Sequence, residues 1–235
     1  MVNIRVGTSG YSYSWNEKEP TPFEWYYTQG FPTVEINASF YRFPMISWIN
    51  TWKKCPPDFD FTIKVNRSIT HYRRLDEDSL GTWEKFKTGF KGIQDKITFW
   101  LFQMPPDFTA TQQNINRILA FFEELNLGNS AVLEFRHPSW WEKKEVCREV
   151  GATFCSVDAP DIPRDMVNMN RGIYLRMHGR EEWYSSIYTD KQLKGIIHKL
   201  NKLDAEKKYV YLNNDHGMLP NGKYLLNQVS PDNNK

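Results

Sequence analysis

An α/β fold in a single domain over residues 1–235, closed as a (β/α)8 barrel, is what the sequence predicts. Three observations carry that expectation. Eight short β-rich runs recur, helix-like segments stand between most of them, and 235 residues suit one barrel around one core. The runs are 4–7, 33–37, 60–66, 98–104, 131–136, 152–158, 172–178 and 209–213. Helix-like segments include 79–92, 191–203 and 112–127, where Ile115, Ile118, Leu119 and Phe122 fall at helical spacing. Strands alternating with helices make parallel βαβ units, and eight of them in a chain of this length favour closure over an open doubly wound sheet.

Two connections are expected to be irregular. Asp158 and Arg176 stand eighteen positions apart, and the link between them carries Pro160 and Pro163, which argues against a regular helix between strands 6 and 7. The stretch RSITHYRRLDED, residues 67–78, reads as a long polar and basic loop after strand 3. The final SPDNNK is expected to fray.

Lys and Arg total 30 against 28 Asp and Glu, so a formal charge of +2 gives no global argument for a nucleic-acid or membrane partner. The three cysteines, Cys55, Cys147 and Cys155, are odd in number and form no C-x-x-C pair. That suggests neither a disulfide framework nor a zinc ribbon and fits a reducing, cytoplasmic compartment. The opening MVNIRVGTSG lacks the basic and long apolar regions of a signal peptide. No stretch approaches the roughly 18 apolar residues that span a bilayer, so no membrane association is expected. The sequence does not set an oligomeric state.

In a barrel, alternate strand residues face the outer helices and must be apolar, which leaves the others pointing inward. On that parity Val34 and Ile36 face out while Glu35 and Asn37 face in, and Ile63 and Val65 face out while Lys64 and Asn66 face in. The same reading turns Glu134, Arg136, Arg176 and His178 inward, and adds Arg5, Ser9, Gln103, Ser156, Asp158, Asn213 and Asp215. Barrel interiors are ordinarily filled with Val, Ile and Leu, so this charged ring requires an explanation. A self-satisfied salt-bridge network is one; a ligand site is the other, and the placement near strand C-termini favours it.

Several chemistries stay open for the ring. Glu35, Glu134, Asp158, Asp215 and His178 are candidates for general acid–base work, His178 because an imidazole titrates near neutrality. Each is equally a candidate structural partner, Glu134 for Arg136 above all. Lys64 could form a Schiff base, although pairing with Glu35 or Glu134 is the stronger reading. A divalent metal is the only cofactor that such carboxylates suggest, and the absence of H-x-H or H-E-x-x-H spacing does not favour it. Lys64, Arg136 and Arg176, with Arg67, His71, Arg73, Arg74 and Arg180 on nearby loops, suit a small anionic ligand. Tyr41, Trp140, Trp141, Trp183, Tyr184 and Tyr188 could stack on a sugar or base, although at least one of the Trp pair should be core.

The motifs GTSGYSY, VEINASFYRFP, IKVNRSITHYRRL, LFQMPPDF, LEFRHPSWW, SVDAP, YLRMHG and YVYLNND, in this order across nearly the whole chain, resemble the domain-of-unknown-function 72 family, also called YecE-like. The resemblance implies a TIM-type barrel and implies no particular activity. Positions matching its motifs are Glu35, Asn37, Tyr41, Lys64, His71, Gln103, Glu134, Arg136, His137, Trp140, Asp158, Arg176, His178, Asn213 and Asp215. The chain departs from the family after strand 8, where HGMLPNGKYLLNQ replaces a small-residue-rich helix. The resulting expectation is an enzyme on a phosphorylated, sugar-like or nucleotide-like substrate. Catalysis would fall to Glu35, Lys64, Glu134, Asp158, His178 and Asp215. Binding would fall to Asn37, Tyr41, Arg67, His71, Gln103, Arg136, His137, Trp140, Arg176, Tyr188 and Asn213. The alternatives are a nucleic-acid-binding or phosphodiester-cleaving protein that uses the basic aromatic rim, and a scaffold without chemistry.

Overall fold

The computed structural model of the chain describes residues 4–229; the SPDNNK segment lies outside them. Eight strands form one sheet in the order β1-β8-β7-β6-β5-β4-β3-β2. They are β1 (Ile4–Thr8), β2 (Thr33–Ile36), β3 (Asp60–Lys64), β4 (Ile97–Gln103), β5 (Ala131–Glu134), β6 (Thr153–Asp158), β7 (Gly172–Met177) and β8 (Lys207–Leu212). Among the described residues the α-helices are α1 (Pro22–Thr28), α2 (Ala38–Tyr41), α3 (Ile46–Trp52), α4 (Ser79–Thr88), α5 (Gln112–Leu125), α6 (Glu145–Glu149), α7 (Asp190–Lys202) and α8 (Met218–Val229). β1 and β2, the two ends of the strand order, meet through a parallel bridge between Ser9 and Glu35, and the Gly10 amide donates to the Glu35 carbonyl at 2.8 Å. The strand order therefore returns on itself, which is the topology of a (β/α)8 barrel and not of an open doubly wound sheet. As the prolines implied, no helix separates β6 from β7.

Contacts divide the chain into two compact units, one running up to Glu35 and from Ser156 onward, the other Ile36–Cys155. In the first, β7 is buried along its whole length, as expected of a parallel strand covered on both faces. β1 approaches β2 so closely that a Cβ on Gly7 would stand 2.5 Å from the Thr33 carbonyl oxygen; only glycine fits there. α7 starts at a capping box, in which the Thr189 hydroxyl accepts from the Gln192 amide while the Gln192 side chain accepts from the Thr189 amide. Leu193, Ile196, Ile197 and Leu200 then line its buried face at i, i+3, i+4 and i+7.

The second unit carries an aromatic core. Trp83 lies 5.1 Å from Trp100 and 5.3 Å from Phe102, and Phe102 lies 5.0 Å from Phe122 on α5. These rings are buried, so much of the aromatic richness of the sequence serves packing. α5 begins at Thr111, whose hydroxyl accepts from the Asn114 amide, and ends at Asn126 in the left-handed conformation, φ 46°. The stretch after β3 is more ordered than a polar loop: Ser68–Tyr72 forms one π-helical turn. The Asn66 carboxamide oxygen caps it by accepting from the Ser68 amide at 3.0 Å and hydroxyl at 2.7 Å, and Ile69 and Thr70 anchor it in the core. Among the described residues no helix is long and apolar enough to cross a membrane. Cys55, Cys147 and Cys155 are all buried.

Candidate functional site

Two groups of the expected residues assemble at strand C-terminal ends, one in each unit. In the first unit the centre is Arg176 on β7, which has no exposed surface. Its Nε donates to Glu35 Oε2 at 2.9 Å and its Nη2 to Glu35 Oε1 at 2.7 Å, a bidentate pair. Tyr174 donates its hydroxyl to Glu35 Oε2 at 2.6 Å, and Arg176 Nη2 also reaches Ser9 Oγ at 3.3 Å. β8 and β1 stand between β7 and β2 in the strand order, so these side chains meet across the inner face of the sheet, the side that the parity assigned to Ser9, Glu35 and Arg176.

His178, also fully buried, places Nε2 3.4 Å from Arg176 Nη1. A guanidinium only donates, so this contact requires the lone pair on Nε2 and the proton on Nδ1. The ring lies against Trp183 and Tyr184, each 5.2 Å away. Asp158, at the end of β6, is held by Arg180, whose Nη2 donates to Oδ2 at 2.7 Å and whose Nε donates to Oδ1 at 3.0 Å. The Tyr188 hydroxyl donates to Asp158 Oδ1 at 3.2 Å and accepts from the Gly179 amide at 2.9 Å. Burial, and next the charge of Asp158, push the Tyr188 phenol far above its ordinary range. The hydrogen bonds from Arg180 to Asp158 raise the guanidinium pKa further.

In the second unit the cations gather around the end of β3. Lys64 Nζ lies 4.2 Å above the Phe40 ring. The Phe40 ring stands edge-on to His71 at 4.8 Å. Arg67 spreads its guanidinium between two open rings, 5.7 Å from Tyr41 and 5.5 Å from Tyr72. Those rings are 63% and 69% exposed. Among the described residues Arg67 has no carboxylate partner, whereas Arg73 pairs with Asp78 at 2.8 Å and Arg74 with Asp107 at 2.5 Å. Glu134 and Arg136 form an ion pair at 2.5 Å, with the Glu134 side chain wholly buried and that of Arg136 7% exposed. Burial, then the charges of Lys64 and Arg136, lower the His71 pKa to about 4, so its imidazole is neutral at pH 7 in a positive field.

Other expected site residues take different places. Trp140 is packed in the core, stacked 4.1 Å from Phe135 and 5.6 Å from Phe108, and its Nε1 donates to the Phe108 carbonyl at 2.6 Å. With no exposed surface it is no stacking platform, which corrects the ligand-binding expectation. Tyr188 is likewise buried, its hydroxyl taken up by Asp158 and Gly179. His137 caps the short turn Pro138–Trp141, its Nδ1 accepting from the Ser139 amide at 3.3 Å. Asp215 does not point inward: β8 has ended at Leu212, and Asp215 is an exposed residue of a 3-10 turn at φ 45°. Asn213 is buried beyond the end of β8, Gln103 is half-buried at the end of β4, and Asn37 opens α2. Tyr174 was missed, although it shares strand parity with Arg176 and His178. Among the described residues no three His, Cys, Asp or Glu side chains come together as a metal site.

Known proteins are similar to this chain in sequence or in fold. The UPF0759 protein YunF of Bacillus subtilis is 26% identical over 237 residues, which cover 85% of this chain and 84% of that protein. The crystal structure of a DUF72 family protein from Thermotoga maritima matches 97% of this chain and 99% of its own at TM-score 0.86 and 26% identity. A DUF72 family protein from Enterococcus faecalis matches 97% of this chain and 98% of its own at TM-score 0.78 and 20% identity, a likeness of fold. The family model described as "Protein of unknown function DUF72" matches residues 5–230, and the chain belongs to that family.

Proposed function

We propose that the chain binds an anionic, ring-bearing substrate, phosphorylated and sugar-like or nucleotide-like, at the cation–aromatic cluster of the second unit, and processes it by acid–base chemistry. The observation that carries this reading is Arg67, a cation without a carboxylate partner among the described residues, held between the exposed rings of Tyr41 and Tyr72. A phosphate suits the guanidinium, and a sugar or base suits the flanking rings. Lys64 and Arg136 add positive charge beside His71, whose pKa is lowered first by burial and next by those two cations. Glu134, buried beside Arg136, is the carboxylate to which this reading gives proton transfer. Glu35 and Asp158 are held by a guanidinium as Glu134 is, but by contacts they fall in the first unit and the cation–aromatic cluster in the second, so they read as supports of the fold.

Calorimetric titration with nucleoside monophosphates and sugar phosphates tests the proposal. At least one is expected to bind, with affinity falling tenfold or more in Arg67→Gln and in Lys64→Gln. Glu134→Gln should bind but not turn over the same compound. Binding unchanged in both cation variants would overturn the assignment. The exposed tyrosines also favour a second reading, single-stranded nucleic acid stacked along the rim. That reading requires oligonucleotide affinity to fall steeply between 50 and 200 mM salt, by about 10³ if six phosphates are neutralised. A flat salt response rejects it.

A further inference from the structure

The missing helix between β6 and β7 leaves a cavity of about 420 Å³ in the first unit, alongside α7. The cavity is open to solvent on the side of Arg164, Lys191 and Lys199, which are exposed, and its volume is in the range of small-ligand clefts. Leu175 of β7 and Ile196 of α7 supply an apolar floor, and Met166, from the segment where the helix would stand, closes one side. Arg164, Arg180, Lys191 and Lys199 stand around it against a single carboxylate, Asp158, which Arg180 already neutralises. Arg164 is held in place by donating from Nε to the Ala159 carbonyl and from Nη2 to the Arg180 carbonyl, both at 3.1 Å. Three cations are left without a carboxylate in the wall of the cavity.

Gly195 is the second, independent feature. Residues 191, 192, 195, 196 and 199 of α7 line the cavity, and Gly195 lies at the centre of that face. Glycine is among the poorest helix formers, yet no neighbour excludes a side chain here: a Cβ at Gly195 would have nothing within 4 Å. Gly195 is exposed, so a side chain there would stand at the open side of the cavity it lines.

The geometry points to a binding site for a small organic anion in this cavity, a phosphate monoester or carboxylate whose charged end meets Arg164, Lys191 and Lys199. Its short apolar body lies over Gly195 against Leu175 and Ile196. This site is separate from the Arg67 cluster and does not depend on the reading given to that cluster.

The probe is phenyl phosphate, followed by ¹H–¹⁵N NMR on the isotopically labelled chain, with inorganic phosphate and phenol as controls that each lack one half. Phenyl phosphate should bind saturably, shifting the amides of Met166 and Gly195, and should bind at least tenfold more tightly than either control. Gly195→Phe, which obstructs the cavity from its open side, and Arg164→Gln should each weaken it tenfold or more. Gly195→Ala, a single methyl in 420 Å³, should change affinity less than twofold. Should Gly195→Phe fail to fold, Arg164→Gln and Lys199→Gln decide the matter. Absence of saturable binding, unchanged affinity in the folded variants, or shifts confined to Arg67 and His71 would each overturn the assignment.

Discussion

Replacing Glu35 by glutamine tests how the first unit carries a guanidinium with no exposed surface. The change preserves shape and removes one charge. In the native protein both Glu35 oxygens accept, Oε1 from Arg176 Nη2 and Oε2 from Arg176 Nε and the Tyr174 hydroxyl. A carboxamide has one accepting oxygen, so its NH2 must face at least one of those donors, and the Arg176 charge is left buried without compensation. Breaking one side of a buried ion pair costs about 3–5 kcal/mol. With an m-value near 3 kcal/mol/M for a chain of this size, the urea midpoint should fall by roughly 1–1.7 M. Removing both charges with Glu35→Leu and Arg176→Met is expected to cost less than the single change, because no uncompensated charge remains. The assay is equilibrium urea unfolding followed by circular dichroism. A single-variant cost below about 1 kcal/mol, or a double variant less stable than the single, would refute the argument.

Trp140→Ala should cost about 3–5 kcal/mol in the same assay while leaving ligand affinity at Arg67 within a few-fold of wild type; lost binding at unchanged stability would return Trp140 to the rim. His71 has a folded-state pKa lowered from 6.5 to about 4, so the unfolded chain binds more protons between those values. Its contribution to stability is therefore present above pH 6.5 and lost as pH falls towards 4, on the order of 1–2 kcal/mol after discounting for solvent screening at a half-buried site. Comparing wild type with His71→Gln across that window measures it, and parallel curves would contradict the assigned cause. A bound anion should raise the His71 pKa, so that affinity strengthens as pH falls from 6.5 towards 4; NMR titration of the imidazole with and without ligand reads this directly.

The strands were legible because each is a short β-rich run between helix-like segments, with its helix-facing positions apolar at a two-residue period. Strand parity also gave the inner side chains, since the two-residue period holds for as long as the strand does. It failed at Asp215 because β8 ends at Leu212 and the chain turns before that residue is reached. The Glu134–Arg136 pair was legible from its two-residue spacing on one strand, whereas partners on distant strands were not. Arg176 meets Glu35 across 141 positions, a match set by closure of the sheet and not by any local spacing. Asp158 finds Arg180 on the connection after β7, and the same pairing removes Arg180 from the cations that the sequence offered to a ligand. Tyr41 and Arg67 were legible as types, whereas their stacking depends on how α2 and the Ser68–Tyr72 turn are placed.

Gly7 ties backbone closeness to charge placement. Ser9, two residues further along, touches the Arg176 guanidinium and bridges to Glu35, so the spacing of β1 from β2 at Gly7 sets where both ends of that network stand. A methyl group at position 7 would wedge the strands apart without contacting any ionised atom. In a saturation scan, position 7 should therefore tolerate substitution as poorly as Glu35 and Arg176 do, and inherited variation there would be read as loss of the charged centre although the residue carries no chemistry of its own.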